Sequence, residues 1–287
     1  MQVFQEINPL KAFLHQKKRE GKRVGFVPTM GALHQGHISL INASTEHNDI
    51  TVCSIYVNPT QFNNPADLKK YPRTLAADKA MLQDAGCQVL FLPDNAVMYP
   101  VETKLQLNFG RLEKTMEGKH RPGHFNGVGL VVSKLLHIVE PDVAYFGQKD
   151  LQQYLIIRQM VQELFFPTAL VCCPIVREPD GLAMSSRNVR LSKAARKKAT
   201  ILYQCLSEAK TLFIEGRASV AQIKKYVGQK LTNQTDLMLE YFEIVDAHNL
   251  LPITKTYKTD QVAFCIAAEV GGIRLIDNLF LNEAIHI

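Results

Sequence analysis

No stretch of this 287-residue chain approaches the roughly 20 consecutive apolar residues that a membrane span requires. The best apolar run, Val128 to Val139, is interrupted by Lys134 and His137. The opening residues, MQVFQEINPLKAFLHQKKREGK, lack the unbroken apolar core of a signal peptide. Cysteine is sparse and unpatterned: Cys53, Cys87, Cys172, Cys173, Cys205 and Cys265 form no CxxC and no repeated spacing. A disulfide scaffold is shorter and denser, so these read as thiols in a reducing compartment. Charge of one sign is also scarce, since 33 Lys and Arg against 27 Asp and Glu leave only +6. That excess is too mild to mark a nucleic-acid binder by itself. There is no internal repeat and no low-complexity segment. The expectation is a soluble, cytoplasmic protein with neither membrane nor nucleic acid among its partners.

What is present is ordinary for a globular chain: 46% hydrophobic and 21% charged residues, with 16 Gly and 13 Pro. Disordered, collagen-like and coiled-coil classes are thereby excluded. At about 100–200 residues per domain, the length favours two domains.

Short apolar runs alternate with helical patterns over the first part of the chain. Val24–Pro28, Ile50–Val57, Val89–Leu92, Val143–Phe146 and Ala169–Val176 read as strands, apolar almost throughout, as in a parallel sheet covered on both faces. Between them, Thr74 to Ala85 reads as a helix with Leu75, Ala76, Met81, Leu82 and Ala85 on its apolar face and Gly86 as its stop. Another helix runs from Asn126 to Val139, ahead of Pro141. Beyond Leu191 the pattern changes. Ser192 caps a helix reaching about Glu215, and a second follows from Ser219 to about Leu231. Strand-like runs at Leu239–Val245, Ala263–Val270 and Ile273–Ile276 come next, the last two joined by the hairpin signal Gly271-Gly272. The expected fold is α/β: a doubly wound, parallel-sheet (Rossmann-like) N-terminal domain over residues 1–185 and a smaller α+β C-terminal domain over residues 186–287.

Several segments could carry chemistry. In the first, Val27 to Leu40, a strand runs into Pro28, Gly31 and Gly36 let the backbone turn tightly, and a helix begins near His37. Free amides at that helix start form an anion site, with His34 and His37 beside it as donors to oxygens that gain charge in a transition state. A packed, uninvolved histidine pair and a metal site are the other readings. The metal reading lacks a third ligand nearby, because Glu46 and Asp49 lie on or beyond the following helix. In the second, Tyr145 to Asp150, Lys149 and Asp150 fall just past a buried strand, where open α/β sheets bind ligands. There a lysine neutralises phosphate and an aspartate accepts from ribose hydroxyls; an ordinary polar turn is the alternative. In the third, Arg177 to Asn188, Ser185, Ser186 and Arg187 offer two hydroxyls and a forked cation suited to polyphosphate, on a loop that Gly181 would make mobile. A polar interdomain linker would look the same.

Two smaller segments are Tyr56 to Phe62, presenting the neutral amides of Asn58 and Gln61, and Lys119 to Phe125, dense in cations, Gly and Pro. Either could be a plain loop. Four of the segments directly follow expected strands, so one crest of the sheet would collect them. A basic cluster lies outside this set: residues 191–230 hold nine Lys and Arg against two acids. Lys193, Arg196, Lys197 and Lys198 open the expected helix at the end where its dipole disfavours cations. A nearby anion or a solvated helix face are the two readings.

His34-Gln-Gly-His37 resembles the HIGH signature of class I nucleotidyl-transferring enzymes, and Met184-Ser-Ser-Arg187 stands where their KMSKS loop would. More narrowly, PTMGALHQGH, VNPTQF, YPRT, HRPGHFNGV, YFGQKDLQQ and DGLAMSSRN together resemble the pantothenate synthetase (pantoate–β-alanine ligase) family, in family order from Pro28 to Asn188. The second domain contributes no such motif. The resemblance implies ATP-dependent ligation of D-pantoate and β-alanine through a pantoyl adenylate, with release of pyrophosphate and then AMP. It implies that Met30, Gly31, Ala32, Leu33, His34, Gln35, Gly36 and His37 line the ATP site, with His37 as proton donor. Gly147, Gln148, Lys149 and Asp150 would hold the nucleotide, Lys149 on phosphate and Asp150 on ribose. Val176 would meet adenine through its backbone, and Met184, Ser185, Ser186 and Arg187 would close over the triphosphate. Gln61 and Gln153 would bind pantoate, with Gln61 also near the β-alanine position and Asn58 among the substrate-binding residues. Mg²⁺ would arrive with ATP, on phosphate oxygens and water, with no protein metal site. A homodimer is also implied. The family often has Glu where this chain has Gln148. Two further readings are adenylylation of another small carboxylate or nucleotide transfer to a phosphate ester, and nucleic-acid binding through the basic helix. The last explains none of the strand-end motifs.

Overall fold

The computed structural model describes residues 1–255 and 261–282. The chain divides into two compact units: Met1–Gly147 with Gln152–Cys173, and Gln148–Leu151 with the chain from Pro174 onward.

The first unit is built on a six-stranded sheet of β1 (Gln2–Phe4), β2 (Val24–Thr29), β3 (Ile50–Ile55), β4 (Val89–Phe91), β5 (Val143–Gly147) and β6 (Ala169–Cys173). Its spatial order is β1-β4-β3-β2-β5-β6, with every pairing parallel. From β2 the chain winds outward through β3 and β4, then returns to lay β5 and β6 on the other side. The reversal therefore falls between β2 and β5, where such sheets open a crevice beyond their carboxyl ends. Side chains alternate across the sheet. Val27, Cys53, Leu90 and Val143 share one core with Leu40 and Ile41 of the Gln35–His47 helix and Leu82 of the Leu75–Asp84 helix. Phe26, Val52, Val89 and Ala144 are equally buried. Both faces are covered, as the unbroken apolar runs implied.

Three local differences from the sequence reading have physical causes. The three-residue β1 offers too short a pattern to register as a strand, yet it pairs with β4 at Gln2–Val89, Val3–Leu90 and Phe4–Phe91. β6 stops at Cys173 and lies at the sheet edge, so it alternates exposed and covered positions. On the Leu75–Asp84 helix, Leu75 faces solvent, and the buried positions are Leu82 and the charged Asp78.

The second unit pairs β7 (Leu237–Asp246), β8 (Val262–Val270) and β9 (Ile273–Phe280) antiparallel in that order. Gly271 and Gly272 take φ of +55° and +77°, the two left-handed positions a tight hairpin demands. Leu202, Cys205, Leu206 and Ala209 on one helix and Ile223, Val227 and Leu231 on the next present single apolar faces to Phe264 and Ile266. Residues from Pro174 already belong here, ahead of the boundary expected near residue 185, because Leu182 sits in this core and Arg177 pairs with Asp277.

Ser192 does cap a helix, accepting from the Ala195 N–H, but that helix ends at Ala199, and Ile201–Ile214 forms the next. Arg196, Lys197 and Lys198 thus occupy a last turn, where the dipole welcomes cations. Arg196 forks onto Asp180 at 2.7 and 3.0 Å, and Lys198 reaches Asp236 at 3.1 Å. Of the four cations only Lys193 stays at the helix start, so the cluster as a whole does not oppose the dipole. The thiols of Cys53, Cys87, Cys172, Cys173 and Cys205 are unpaired with one another. Burial pushes Cys87, Cys173 and Cys205 up to about 11 and Cys172 to about 12, which keeps them protonated. Among the described residues, no helix is long and apolar enough to cross a membrane.

Candidate active site

Past β2 the backbone turns through Gly31 and Ala32, both left-handed at φ +80° and +49°. Asp78 holds this turn. Its carboxylate, 2% exposed, accepts from the Ala32 N–H at 3.0 Å, the Leu33 N–H at 2.8 Å and the Thr74 hydroxyl at 3.0 Å. The YPRT segment therefore places Thr74 and, four residues on, Asp78 against the histidine loop.

The Gln35–His47 helix is capped by the histidines themselves. His34 Nδ1 accepts from the Gly36 N–H at 3.2 Å, and His37 Nδ1 accepts from the His34 N–H at 3.3 Å. The rings lie 4.0 Å apart between centroids. A neutral imidazole that accepts at Nδ1 carries its proton on Nε2, so both rings present an Nε2–H. This arrangement corrects the expectation of free amides at the helix start. The N–H groups of Gly31, Ala32, Leu33, His34, Gly36 and His37 all find acceptors within the protein. The same bonds disfavour the metal reading, because both Nδ1 lone pairs are in use, and among the described residues no three His, Cys, Asp or Glu side chains gather as ligands.

Beyond β3, Asn58 is 1% exposed and its amide is occupied. Its Nδ2 donates to Gln61 Oε1 at 3.1 Å and to Gly127 O at 3.2 Å, while Oδ1 accepts from the hydroxyls of Thr60 and Tyr99. Asn58 thus lies behind Gln61 and orients it. Gln61 Nε2 lies 3.2 Å from Met30 Sδ, which brings the β2 and β3 loops together. The Gln61 carbonyl accepts from His124 Nδ1 at 2.8 Å, so the segment rich in cations, Gly and Pro is a clamp on the Gln61 turn. Burial pushes the Tyr99 phenol above its ordinary value, which keeps it a donor to Asn58. Gly147 ends β5 opposite Cys173. Gln153 is half-buried in the first turn of the Leu151–Glu163 helix, and its neighbour Gln152 anchors that turn through the carbonyls of Leu112 and Thr115.

In the second unit, Gln148–Asp150 forms a single tight turn. Lys149 Nζ lies 3.2 Å from Asp150 Oδ2, so the expected phosphate and ribose ligands neutralise each other. Val176 to Met184 is a narrow hairpin: Met184 donates to Val176 O at 3.0 Å, and Glu178 donates to Leu182 O at 2.8 Å. Gly181, expected to make this loop mobile, has a φ of +89° and a close approach that calls for glycine, since a Cβ there would stand 2.8 Å from Tyr203 Cε1. Arg177 fixes the hairpin by donating to Gly181 O at 3.0 Å, forking onto Asp277 at 2.7 and 3.0 Å, and stacking 4.1 Å over the Tyr203 ring. Burial raises the Asp277 carboxyl above its ordinary value, with Arg177 opposing the shift. Ser185 Oγ accepts from the Arg187 N–H, and Asn188 Nδ2 donates to Ala183 O, which shapes the segment holding Ser186.

Comparison with known proteins bears on what these loops do. The family profile described as pantoate-beta-alanine ligase matches residues 2–280. A pantothenate synthetase of Cytophaga hutchinsonii is 48% identical over 276 residues, 96% of this chain and 97% of that protein. The crystal structure of pantothenate synthetase from Thermus thermophilus superposes with a TM-score of 0.91 at 41% identity, covering 98% of this chain and 99% of that one. The pantoate-beta-alanine ligase of Francisella tularensis, solved with beta-gamma ATP and beta-alanine, gives a TM-score of 0.82 at 34% identity, with 98% of each chain covered. Similarity of that extent runs through both units and every loop described above, and the chain belongs to the pantoate-beta-alanine ligase family.

Proposed function

We propose that this chain joins D-pantoate to β-alanine by way of a pantoyl adenylate, and that the residues matched above do the work. The observation that carries the reading is the reciprocal capping that sets His34 and His37 at the crevice end of β2, each ring accepting a backbone N–H at Nδ1. A pantoate carboxylate oxygen attacks the α-phosphorus of ATP. A new P–O bond forms, the α–β bridging bond breaks, and pyrophosphate leaves. Charge that develops on the phosphate oxygens would be met by His34, His37 and Lys149 as hydrogen-bond donors. The β-alanine amine then attacks the acyl carbon of the mixed anhydride; AMP leaves, and the amine loses a proton as the amide forms. No covalent enzyme intermediate is required.

Gln61 and Gln153 are assigned to pantoate, with Asn58 orienting Gln61. Met30 to His37 and Gly147 to Asp150 are assigned to the nucleotide, Val176 to adenine and Met184 to Arg187 to the triphosphate. Of these residues, Met30 to His37, Asn58, Gln61, Gly147 and Gln153 belong to the first unit, and Gln148 to Asp150, Val176 and Met184 to Arg187 to the second. Mg²⁺ bound with ATP would neutralise phosphate charge, its ligands being phosphate oxygens and water. A homodimer working in the cytoplasm completes the reading.

The first test is pantoate-dependent exchange of labelled pyrophosphate into ATP, with Mg²⁺ and without β-alanine. Exchange that requires D-pantoate, followed by release of AMP and pantothenate once β-alanine is added, is the expected result. Folded protein that binds ATP yet stays silent in both assays would transfer the assignment to another carboxylate. Calorimetry gives a second test: Gln61→Ala and Gln153→Ala should weaken pantoate binding while leaving ATP binding close to that of the unaltered protein. Equal losses for both ligands would count against their assignment.

A further inference from the structure

The turn carrying Lys149 is held by a residue far away in the sequence, on the last strand. Asn278 of β9 is 2% exposed, and three of the four hydrogen bonds its side-chain amide can make go to that turn. Its Nδ2 donates to the carbonyls of Gln148 at 2.9 Å and Lys149 at 3.0 Å, and its Oδ1 accepts from Gln148 Nε2 at 3.0 Å. Three bonds from one side chain fix a three-residue turn. The strand is itself anchored at the preceding residue. Asp277 takes the Arg177 fork and also accepts from the Asn278 N–H at 2.7 Å, while Arg177 donates to the Asn278 carbonyl at 3.0 Å. Neighbours on a strand point to opposite faces, so Asp277 secures one side of β9 and Asn278 works from the other. On β8, Cys265 is the strand partner of Asn278 and Ile266 that of Asp277.

We propose that Asn278 is a positioning residue for the reaction, aiming Lys149 by fixing the backbone on either side of it. The inference rests on the assignment of Lys149 to the ATP phosphates. A lysine has four rotatable bonds beyond Cα, and only a fixed backbone confines its ammonium to one region. A misplacement of about 1 Å in such a group can cost on the order of 10²-fold in rate. Asn278 need not touch a substrate to have this effect.

The test is a double-mutant cycle of Asn278→Ala and Lys149→Ala, read as kcat for pantoate-dependent exchange and as the dissociation constant of Mg·ATP by calorimetry. Asn278→Ala is expected to lower kcat by about 10- to 100-fold with the pantoate KM nearly unchanged. In the Lys149→Ala background the same change should cost less than about twofold, because groups acting through one another are non-additive. If Asn278 merely supports the fold, its effect will be equal in both backgrounds and will extend to the pantoate KM; that result overturns the proposal. Should the alanine variant fail to fold, Asn278→Asp preserves the volume, removes both donors, and carries the same cycle. An unaltered protein without pantoate exchange would defeat the assigned reaction alone, since the Mg·ATP cycle still reports whether Asn278 acts through Lys149. ATP affinity unmoved by Lys149→Ala but weakened by Asn278→Ala would sink the positioning role.

Discussion

Alanine at His37 is expected to lower turnover by about 10²–10³-fold, as is alanine at Lys149, because each removes a donor to charge that develops in the adenylation step. The His37 variant also loses half of the reciprocal cap, and a lost cap costs about 0.5–2 kcal/mol. A fall of about 2–4 °C in Tm per kcal/mol is the corresponding signature in a unit of this size. In protein that the melt shows folded at assay temperature, such a shift cannot account for the loss of rate. Lys149 carries no such complication, since it caps no helix and its ammonium pairs with the neighbouring Asp150. Stopped assays at saturating ATP and pantoate, alongside thermal melts, separate the two effects. Turnover within a few-fold of the unaltered protein would remove that residue from the mechanism.

Gly127→Ala is expected to disable pantoate use while sparing the nucleotide. Gly127 lies on the His124–Val139 helix, facing the turn that presents Gln61. A Cβ there would stand 2.6 Å from the carbonyl carbon of Thr60 and 2.8 Å from the Gln61 nitrogen, and closer still to the Thr60 oxygen. All three are backbone atoms, so no rotamer change relieves the collision and the whole Pro59–Gln61 turn must shift. That shift breaks the pattern in which Asn58 bridges Gly127 O and Gln61 Oε1. Overpacking of this kind costs about 1–3 kcal/mol. The pantoate KM should rise by at least about tenfold, roughly 1.4 kcal/mol of lost binding, while Mg·ATP affinity changes little. Normal pantoate use by this variant would show that Gln61 does not contact the substrate.

What the sequence discloses depends on how far its signals reach. The covered strands were legible because Val24, Phe26 and Val27 leave no polar position for water, and the hairpin because two adjacent glycines favour one turn. The Ser192 and Ser219 caps were legible for the same local reason. Among site residues, the histidine loop and the Lys149 turn declared themselves by following strands. Asp78 did not, because a charge among Leu75, Ala76, Met81 and Leu82 reads as the outer face of a helix until its carboxylate is seen to meet two amides. Asn278 was hidden more deeply. Nothing within reach of residue 278 in sequence hints at residue 148, and only the pairing of β8 with β9 carries it there.

The Gln148–Leu151 segment belongs to the second unit although the chain before and after it belongs to the first. The two halves of the molecule are consequently not modular in the sense that a genetic cut requires. A fragment ending at Cys173 would retain all six strands of the parallel sheet but would leave the carbonyls of Gln148 and Lys149 without their Asn278 donor. A chimera that grafts a relative's C-terminal half onto this N-terminal half would inherit a foreign partner for Gln148. Recombination between relatives is thus constrained at a turn remote from any breakpoint: β9 and the Gln148–Asp150 turn must be exchanged together.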